Sequence, residues 1–254
     1  MIDIHSHFLP GLDDGAPSIE DAVAMIEMAA ADGTTHLVGT PHCNSRFAFS
    51  LERNRALLGE LRARSGNRVE LLSGCDFHLS YENLGKVLAA KSIYTLNQGK
   101  YLLTEFATYG IAPRTLNVFH QLHLNDIVPV ITHPERNPLL QGSGGLKLVR
   151  RLVEMGCPVQ ITAGSLTGHF GRDPQRIARQ LLGERLVHFV ASDAHDTRHR
   201  PPRLSEARAE VEKSYGAEVA RALFVENPRA ALESEPLPFF PPPKPPTPRR
   251  FWFF

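Results

Sequence analysis

Histidines and carboxylates recur after short apolar segments throughout this 254-residue chain. His5 and His7 follow the first segment, and their side chains point the same way because they are two positions apart on an extended stretch. Seven further candidates follow later segments or lie in the Gly-flanked loop after the first: Asp14, His42, Asp76, Glu105, His133, Asp193 and His195. Imidazole and carboxylate together suit Zn, Fe or Mn ions. Bridging carboxylates also let two ions lie close together, so the pattern predicts a metal cluster suited to hydrolysis at phosphorus.

These side chains need a scaffold in which the ends of several strands meet. Strands are predicted at 2–4, 37–39, 69–72, 101–104, 128–131, 159–161 and 187–190, and helices at 19–31, 51–64, 114–124, 146–155, 174–182, 204–215 and 217–224. This alternation predicts an α/β fold with parallel strands and helices packed outside. A distorted (β/α)7 TIM-like barrel brings the candidates to the end of the strands where such barrels carry their chemistry, and an open sheet is the alternative.

Bulk properties restrict the class of protein. The 28 basic and 27 acidic residues nearly cancel, which gives no support to a nucleic-acid partner or to a membrane-surface role. The three cysteines are widely spaced without a C-x-x-C pair, so we expect free thiols and a reducing, cytoplasmic compartment. No apolar run reaches about 18 residues and the first residues lack a signal-peptide pattern, so no membrane insertion is predicted.

The C-terminal segment differs in composition from the rest of the chain. Residues 235–254 contain eight of the 20 prolines, five of the 14 phenylalanines and the single tryptophan. The boundaries predicted are a catalytic domain over 1–232 and a disordered tail over 233–254. The alternative is a docking peptide with P-x-x-P spacing, Arg249, Arg250 and the aromatic cluster 251–254.

The ordered motifs resemble those of the PHP (polymerase and histidinol phosphatase) superfamily. More narrowly, the chain is similar to the bacterial PHP-type protein-tyrosine phosphatases of capsular and exopolysaccharide gene clusters. The matching stretches, which span 1–232 in order, are Met1-Ile2-Asp3-Ile4-His5-Ser6-His7, Asp13-Asp14-Gly15, Thr40-Pro41-His42, Thr104-Glu105-Phe106, Thr132-His133-Pro134-Glu135-Arg136, Ala191-Ser192-Asp193-Ala194-His195, Arg200-Pro201-Pro202 and Glu226-Asn227-Pro228. The resemblance implies a PHP barrel with three divalent ions, Mn²⁺ first and Fe or Zn as alternatives.

The same resemblance implies which residues bind each ion. By position, the first ion takes His5, His7, Asp76 and Asp193, the second takes Asp76, Glu105 and His133, and the third takes Asp14, His42 and His195. Arg136 and Arg200 fall where family members bind the substrate phosphate. The family usually has Glu at the bridging position, and Asp76 is one methylene shorter. It either bridges after a small backbone shift or binds one ion and weakens the cluster.

The activity implied is hydrolysis of phosphotyrosine on the tail of a tyrosine kinase that regulates polysaccharide synthesis. In this hypothesis a metal-activated hydroxide attacks in line, the two arginines bind phosphoryl oxygens, and Asp14 or His195 protonates the leaving group. A thiol mechanism is not predicted, because no cysteine is followed by arginine six residues later. A histidinol-phosphate-type small-molecule phosphatase, a nuclease and a non-catalytic module that binds phosphotyrosine tails are alternatives, and the oligomeric state stays open.

Overall fold

The computed structural model describes residues 1–111 and 114–245. Its strands are β1 (Ile2–Ser6), β2 (His36–Gly39), β3 (His42–Cys43), β4 (Glu70–Ser73), β5 (Asp76–His78), β6 (Tyr101–Glu105), β7 (Val128–Thr132), β8 (Val159–Thr162) and β9 (Phe189–Ala191). Its α-helices are α1 (Ile19–Ala31), α2 (Leu51–Ser65), α3 (Tyr81–Ala89), α4 (Lys91–Tyr94), α5 (Thr115–Leu124), α6 (Pro138–Gln141), α7 (Ser143–Glu154), α8 (Ala163–Leu166), α9 (Arg172–Gly183), α10 (Ser205–Tyr215), α11 (Ala217–Arg221) and α12 (Asn227–Leu232). Short 3₁₀ turns cover Leu96–Gln98 and Pro134–Arg136, and a π turn covers Ala222–Glu226.

Every strand pairing in the described chain is parallel, which confirms the predicted α/β architecture. One sheet has the order β1-β2-β4 and the other has the order β3-β5-β6-β7-β8-β9. Two residues separate β2 from β3, and two separate β4 from β5, so each pair continues one strand across a bend. The Gly74 amide donates to the Gly39 carbonyl across this bend at 2.9 Å. The bend moves His42 and Asp76 into the second sheet, where they pair with each other.

The first strand also contacts the segment that follows the last strand. The His7 amide donates to the Ala194 carbonyl at 2.8 Å, and the Asp193 amide donates to the His5 carbonyl at 2.9 Å. The end of β1 is therefore hydrogen-bonded to the segment after β9 as well as paired with β2. These hydrogen bonds bring the side chains at the end of β1 next to those that follow β9.

Alternation along β1 separates the core from the site. Ile2 and Ile4 are buried in an apolar cluster with residues of β2, β6, β7 and β9. His5 and His7 have the opposite parity, so they face away from that cluster. A buried apolar strand thus fixes the position of two potential metal ligands.

Local signals account for the first helix, whose predicted range of 19–31 is confirmed. The Ser18 hydroxyl accepts a hydrogen bond from the Asp21 amide at 3.1 Å, which satisfies a free N–H group of the first turn. Met25 and Ile26 lie on the buried face. The helix ends before Gly33, whose φ of +88° favours glycine.

Several short elements were not predicted from the sequence. β3 and β5 have two and three residues, which is too short for a hydrophobic period to show. The helix predicted over 217–224 divides into α11 and the π turn, and α12 follows directly. Within the described residues, no helix combines the length and the apolar character needed to cross a membrane.

The described part of the C-terminal segment packs against the domain, although composition predicted disorder from 233 onward. The buried Asn227 amide donates to the Phe239 carbonyl at 2.8 Å, and its Oδ1 accepts from the Phe239 amide at 3.0 Å. Phe240 stacks on His188 with ring centroids 4.0 Å apart. The Lys244 amide donates to the Glu184 carbonyl at 3.0 Å. Backbone hydrogen bonds therefore hold a stretch whose composition resembles a free tail.

The rest of that segment lies outside the described residues. Arg249, Arg250 and the cluster 251–254, on which the docking interpretation depends, are among these residues. The domain boundary at 232 stays a prediction.

Asn227 provides a test of this packing. Replacing Asn227 with Ala removes three hydrogen bonds to the backbone, including one to the His188 carbonyl at 2.9 Å. Because buried groups are left unpaired, we expect the free energy of unfolding to fall by about 1–3 kcal/mol in urea denaturation. Asn125→Ala is the matched control, since this exposed amide contacts only its own helix and should cost under about 0.5 kcal/mol. Equal losses in both variants would contradict the assignment.

Candidate metal centre

All nine residues predicted as metal ligands converge at one end of the strands. Their ligand atoms form four groups in the described chain, each with all atoms within 4.8 Å of one another. The groups are His7–Asp14–His42–His195, His5–His7–Asp193, His5–Asp76–His133 and His42–Asp76–Glu105. Every predicted ligand belongs to at least one group. The strand-end positions therefore produce the close approach that metal binding requires.

The groups overlap the sets implied by the family resemblance, but Asp76 is absent from the group of His5, His7 and Asp193. The set Asp14, His42 and His195 is complete and gains His7. Asp76 belongs to two groups, as a bridging carboxylate does. Glu105 lies with His42 rather than with His133, and the distance from His42 Nδ1 to Glu105 Oε2 is 3.9 Å.

Unpaired buried atoms show that this donor set fits cations. Both carboxylate oxygens of Asp76 are buried and make no hydrogen bond to a described residue. His42 Nδ1 lies 2.9 Å from Asp76 Oδ2 without the angle of a hydrogen bond, and His195 Nε2 is also unpaired. Burying a carboxylate without a donor costs several kcal/mol. A divalent ion bound between these unpaired atoms would remove the cost of burying the carboxylate.

Charges in the site shift its pKa values in both directions. Burial lowers the pKa of His5 to about 4 and that of His195 to about 4, so these rings are neutral at pH 7. Burial opposes the charge of His42 as well, but the nearby carboxylates of Asp14 and Asp76 outweigh it and raise its pKa to about 11. His42 therefore carries a proton before a metal binds. Metal binding there must release this proton.

Asp14 lies at the opening of the cluster. Its Oδ1 is 3.4 Å from His42 Nε2 and 3.5 Å from His195 Nε2, while half of its side chain is exposed. The neighbouring rings of His195 and His42 hold the pKa of Asp14 far below its usual range. It is thus an ionised carboxylate that solvent can reach.

A second group of residues orients the histidine rings. Asp13 Oδ2 lies 2.7 Å from His7 Nδ1, and Asp13 also accepts from the amides of Gly15 and His42 at 2.9 Å. Gln160 on β8 lies 2.9 Å from His5 Nδ1. With each Nδ1 engaged, the Nε2 atoms of His5 and His7 face the cluster. Neither Asp13 nor Gln160 was predicted as a site residue.

The two predicted phosphate-binding arginines meet at one carboxylate. Arg136 and Arg200 both donate to Asp193 Oδ2, and the Arg200 Nη2 contact is 2.6 Å long. Phe170 lies beneath both guanidinium groups, with its ring centroid 4.5 Å from Arg136 Cζ and 6.0 Å from Arg200 Cζ. A Cβ at Gly164 would come within 2.8 Å of that ring, so glycine is required there. No sequence pattern distinguishes Phe170, because its contact with the arginines depends on the fold of the segment after α8.

Comparison with known proteins assigns this metal centre to a family. The family profile described as capsular polysaccharide synthesis, CpsB/CapC, matches residues 1–233. The chain belongs to the CpsB/CapC family. It is 33% identical to the tyrosine-protein phosphatase YwqE of Bacillus subtilis strain 168 over the full length of both chains. It is 32% identical to the tyrosine-protein phosphatase CpsB of Streptococcus pneumoniae over 91% of this chain and 98% of that one.

Solved structures agree with the CpsB/CapC assignment. A structure from the work on YwqE of Bacillus subtilis and CpsB of Streptococcus pneumoniae, described there as unique metal-dependent tyrosine phosphatases, matches with a TM-score of 0.88 and 34% identity. That match covers 96% of this chain and 99% of the other. The lactonase Lmo2620 of Listeria monocytogenes matches with a TM-score of 0.57 at 12% identity over 91% of this chain and 94% of the other, so it shares the fold alone. The resemblance read from the ordered motifs is confirmed.

Phe170 provides a test of how this CpsB/CapC-family site holds its arginines. Phe170→Leu keeps an apolar side chain and removes the aromatic face, which contributes about 0.5–2 kcal/mol per cation–π contact. We expect KM for a phosphate ester and the inhibition constant of inorganic phosphate to rise roughly twofold to thirtyfold. Phe170→Tyr should stay near the parent values, and bound metal should not change.

Phe240→Leu is the matched control for that substitution. Phe240 stacks on His188, away from the arginines, so its loss should leave both constants unchanged. Unaltered KM and phosphate inhibition in Phe170→Leu would show that the ring does not position Arg136 and Arg200.

Proposed function

We propose that this CpsB/CapC-family chain is a metal-dependent protein-tyrosine phosphatase. The observation that carries the proposal is the buried Asp76 carboxylate, unpaired and shared by two groups of potential ligands. Relatives at 32–33% identity are named tyrosine-protein phosphatases, and they match over nearly their whole length. The chemistry of the site and the family relationship therefore favour the same activity.

The ligand assignment is also a proposal. One ion is held by Asp14, His42 and His195 with His7 beside them, and the other two share Asp76, with His5, His7, Asp193, Glu105 and His133 completing their sets. Nitrogen and oxygen ligands of this kind support Mn²⁺, with Fe and Zn as alternatives. Asp13 and Gln160 hold the histidine rings in the orientation that binding needs.

Different residues of the chain have different roles in the proposed reaction. Divalent ions, when bound, offset the charge of a phosphate dianion and lower the pKa of a bound water. Arg136 and Arg200, supported by Phe170, donate charge-assisted hydrogen bonds to the phosphoryl oxygens. Tyrosinate has an unperturbed pKa of about 10, so its departure at neutral pH benefits from a proton. Asp14, exposed at the opening, and His195 beside it are the proposed donors. Because Asp14 is ionised and the His195 ring is neutral at pH 7, each must first take up a proton from water at the opening.

The proposed substrate is a phosphotyrosine on the tail of a tyrosine kinase of capsule or exopolysaccharide synthesis, in the cytoplasm. The family description supports the pathway, and the names of the relatives support the residue. All three cysteines are free and buried, which suits a reducing compartment. A phosphotyrosine-binding module is the alternative, and the short side chain of Asp76 is the feature that favours it.

Metal removal and thiol alkylation test the mechanism on one preparation. The protein is stripped with a chelator and reloaded with Mn²⁺, Fe²⁺ or Zn²⁺, and bound metal is measured beside phosphate release from a phosphotyrosine peptide and from histidinol phosphate. We expect at least about two ions per chain with activity, and none without metal. Alkylation should leave activity intact, since the buried cysteines take no part. Loss of activity on alkylation while the metal content stays full would contradict the mechanism. Tight binding of the peptide without release of phosphate would favour the binding module.

Asp76 allows a test in both directions. Asp76→Asn keeps the shape and removes the charge, so it should lower bound metal and reduce kcat by at least about tenfold to a hundredfold, the loss that supporting residues alone can cause. Asp76→Glu restores the longer side chain that the family usually has, and we expect equal or higher metal occupancy and kcat. Metal analysis and steady-state kinetics check both variants. Full metal and full activity in Asp76→Asn would remove Asp76 from the ligand set.

A further inference from the structure

A cavity of about 230 Å³ lies beside the site, between the loop that follows β8 and the segment that follows β9. Its lining includes Arg198, Arg200 and Arg203 together with Ser192 and one acidic residue, Glu206. Arg198 and Arg203 make no ion pair with any described residue, and both are exposed. We call this space the arginine cavity. Its charged lining is predominantly cationic, and two of its arginines have no counter-charge.

Arg200 links the arginine cavity to the metal centre. Its Nη2 donates to Asp193 at 2.6 Å, so one side of the guanidinium faces the cluster. Its Nε is buried and makes no hydrogen bond within the described chain. A planar guanidinium has donors along several edges and can bind two anions at once. An anion in the cavity and the phosphoryl group in the site would therefore lie on two sides of the same Arg200 guanidinium.

The loop that carries Arg198 is held in place before any ligand binds. Asp196 Oδ1 accepts from the backbone amides of Arg198 at 2.6 Å, of His199, and of Arg200 at 3.3 Å. The His199 carbonyl contacts His169 Nε2 on the opposite wall. A fixed loop loses little conformational entropy when a ligand binds, so the exposed arginine is presented at low cost.

We propose that the arginine cavity binds a second anionic side chain of the substrate peptide, close to the phosphotyrosine that is hydrolysed. This inference rests on the proposed phosphatase function and names the substrate class of that same site. The shared chemistry is an oxyanion, either the phosphoryl group of another phosphotyrosine or a carboxylate. An extended peptide advances about 3.3 Å per residue, so an anion one to three positions away can reach across Arg200.

Peptides that differ at one position test the inference on the full chain loaded with Mn²⁺. Each has one phosphotyrosine and, two residues away, a non-hydrolysable phosphonate analogue of phosphotyrosine, Glu, Gln or Lys. The order of KM should be phosphonate lowest, then Glu, then Gln, then Lys. We expect roughly a tenfold range between phosphonate and Gln, as charge-assisted hydrogen bonds to two arginines allow. A small aryl phosphate provides the measure of basal activity.

Three variants separate the cavity from general surface charge. The double variant Arg198→Gln/Arg203→Gln should abolish the preference and leave hydrolysis of the small ester unchanged. Glu206→Gln removes the one acidic group from the lining and should strengthen the preference. Arg68→Gln is the matched control, because this exposed arginine precedes β4, at the opposite end of the strands.

The outcomes distinguish this inference from the proposed function. A preference for phosphonate but not Glu assigns the cavity to a second phosphotyrosine, and a preference for both assigns it to acidic residues generally. Equal KM values for the phosphonate, Glu and Gln peptides, or a preference that survives in the double variant, would overturn the inference while the phosphatase stands. Failure to hydrolyse either the peptides or the small ester with metal bound would reject the proposed function itself.

Discussion

Four carboxylates and five imidazoles share one small volume at the strand ends, and the rest of the structure is constrained by what keeps them there. Asp76 is the extreme case, since burial raises the pKa of a carboxyl group and the nearby rings of His5 and His42 reverse that effect. No hydrogen bond to a described residue reaches its oxygens. The fold therefore buries an unpaired carboxylate at a cost in stability that a bound cation would offset, which is typical of functional sites.

That constraint explains features that would otherwise weaken the fold. His133 and Asp193 have φ values of 32° and 52°, a left-handed region that non-glycine residues rarely adopt. Each costs of order 1 kcal/mol or more, and each directs a ligand toward the cluster directly after a strand. A Cβ at Gly15 would lie 1.9 Å from the His7 carbonyl, so the loop with Asp13 and Asp14 can close over His7 only with glycine there. The Asp193 amide donates to the His5 carbonyl and the His133 amide donates to the Gln160 carbonyl, which holds both strained positions in place.

The sequence predicted which side chains cluster at the strand ends better than it predicted the residues that support them. His5, His7 and Asp193 were recognisable because residue type and strand-end position are both local properties. Gln160 and Phe170 act through partners 155 and 34 residues away, and neither has a local pattern that distinguishes it from an ordinary polar or apolar residue. The bends between β2 and β3 and between β4 and β5 depend on pairing between strands, which periodicity does not encode. Composition does not reveal the contacts of the stretch up to Lys244, because its backbone is hydrogen-bonded by distant residues such as Tyr101, Arg150 and Glu184.

The arrangement around Asp193 connects metal binding to substrate binding. One of its oxygens lies 3.4 Å from His5 Nε2 and 3.3 Å from His7 Nε2, while the other accepts from both arginines. Burial opposes the charge of this carboxylate, but His5, His7 and Arg200 outweigh it and hold its pKa far below the usual range. Positive charge from bound ions would share that task and free the guanidinium donors for phosphoryl oxygens. A single carboxylate between ions and arginines thus lets metal binding prepare the site for an anionic substrate.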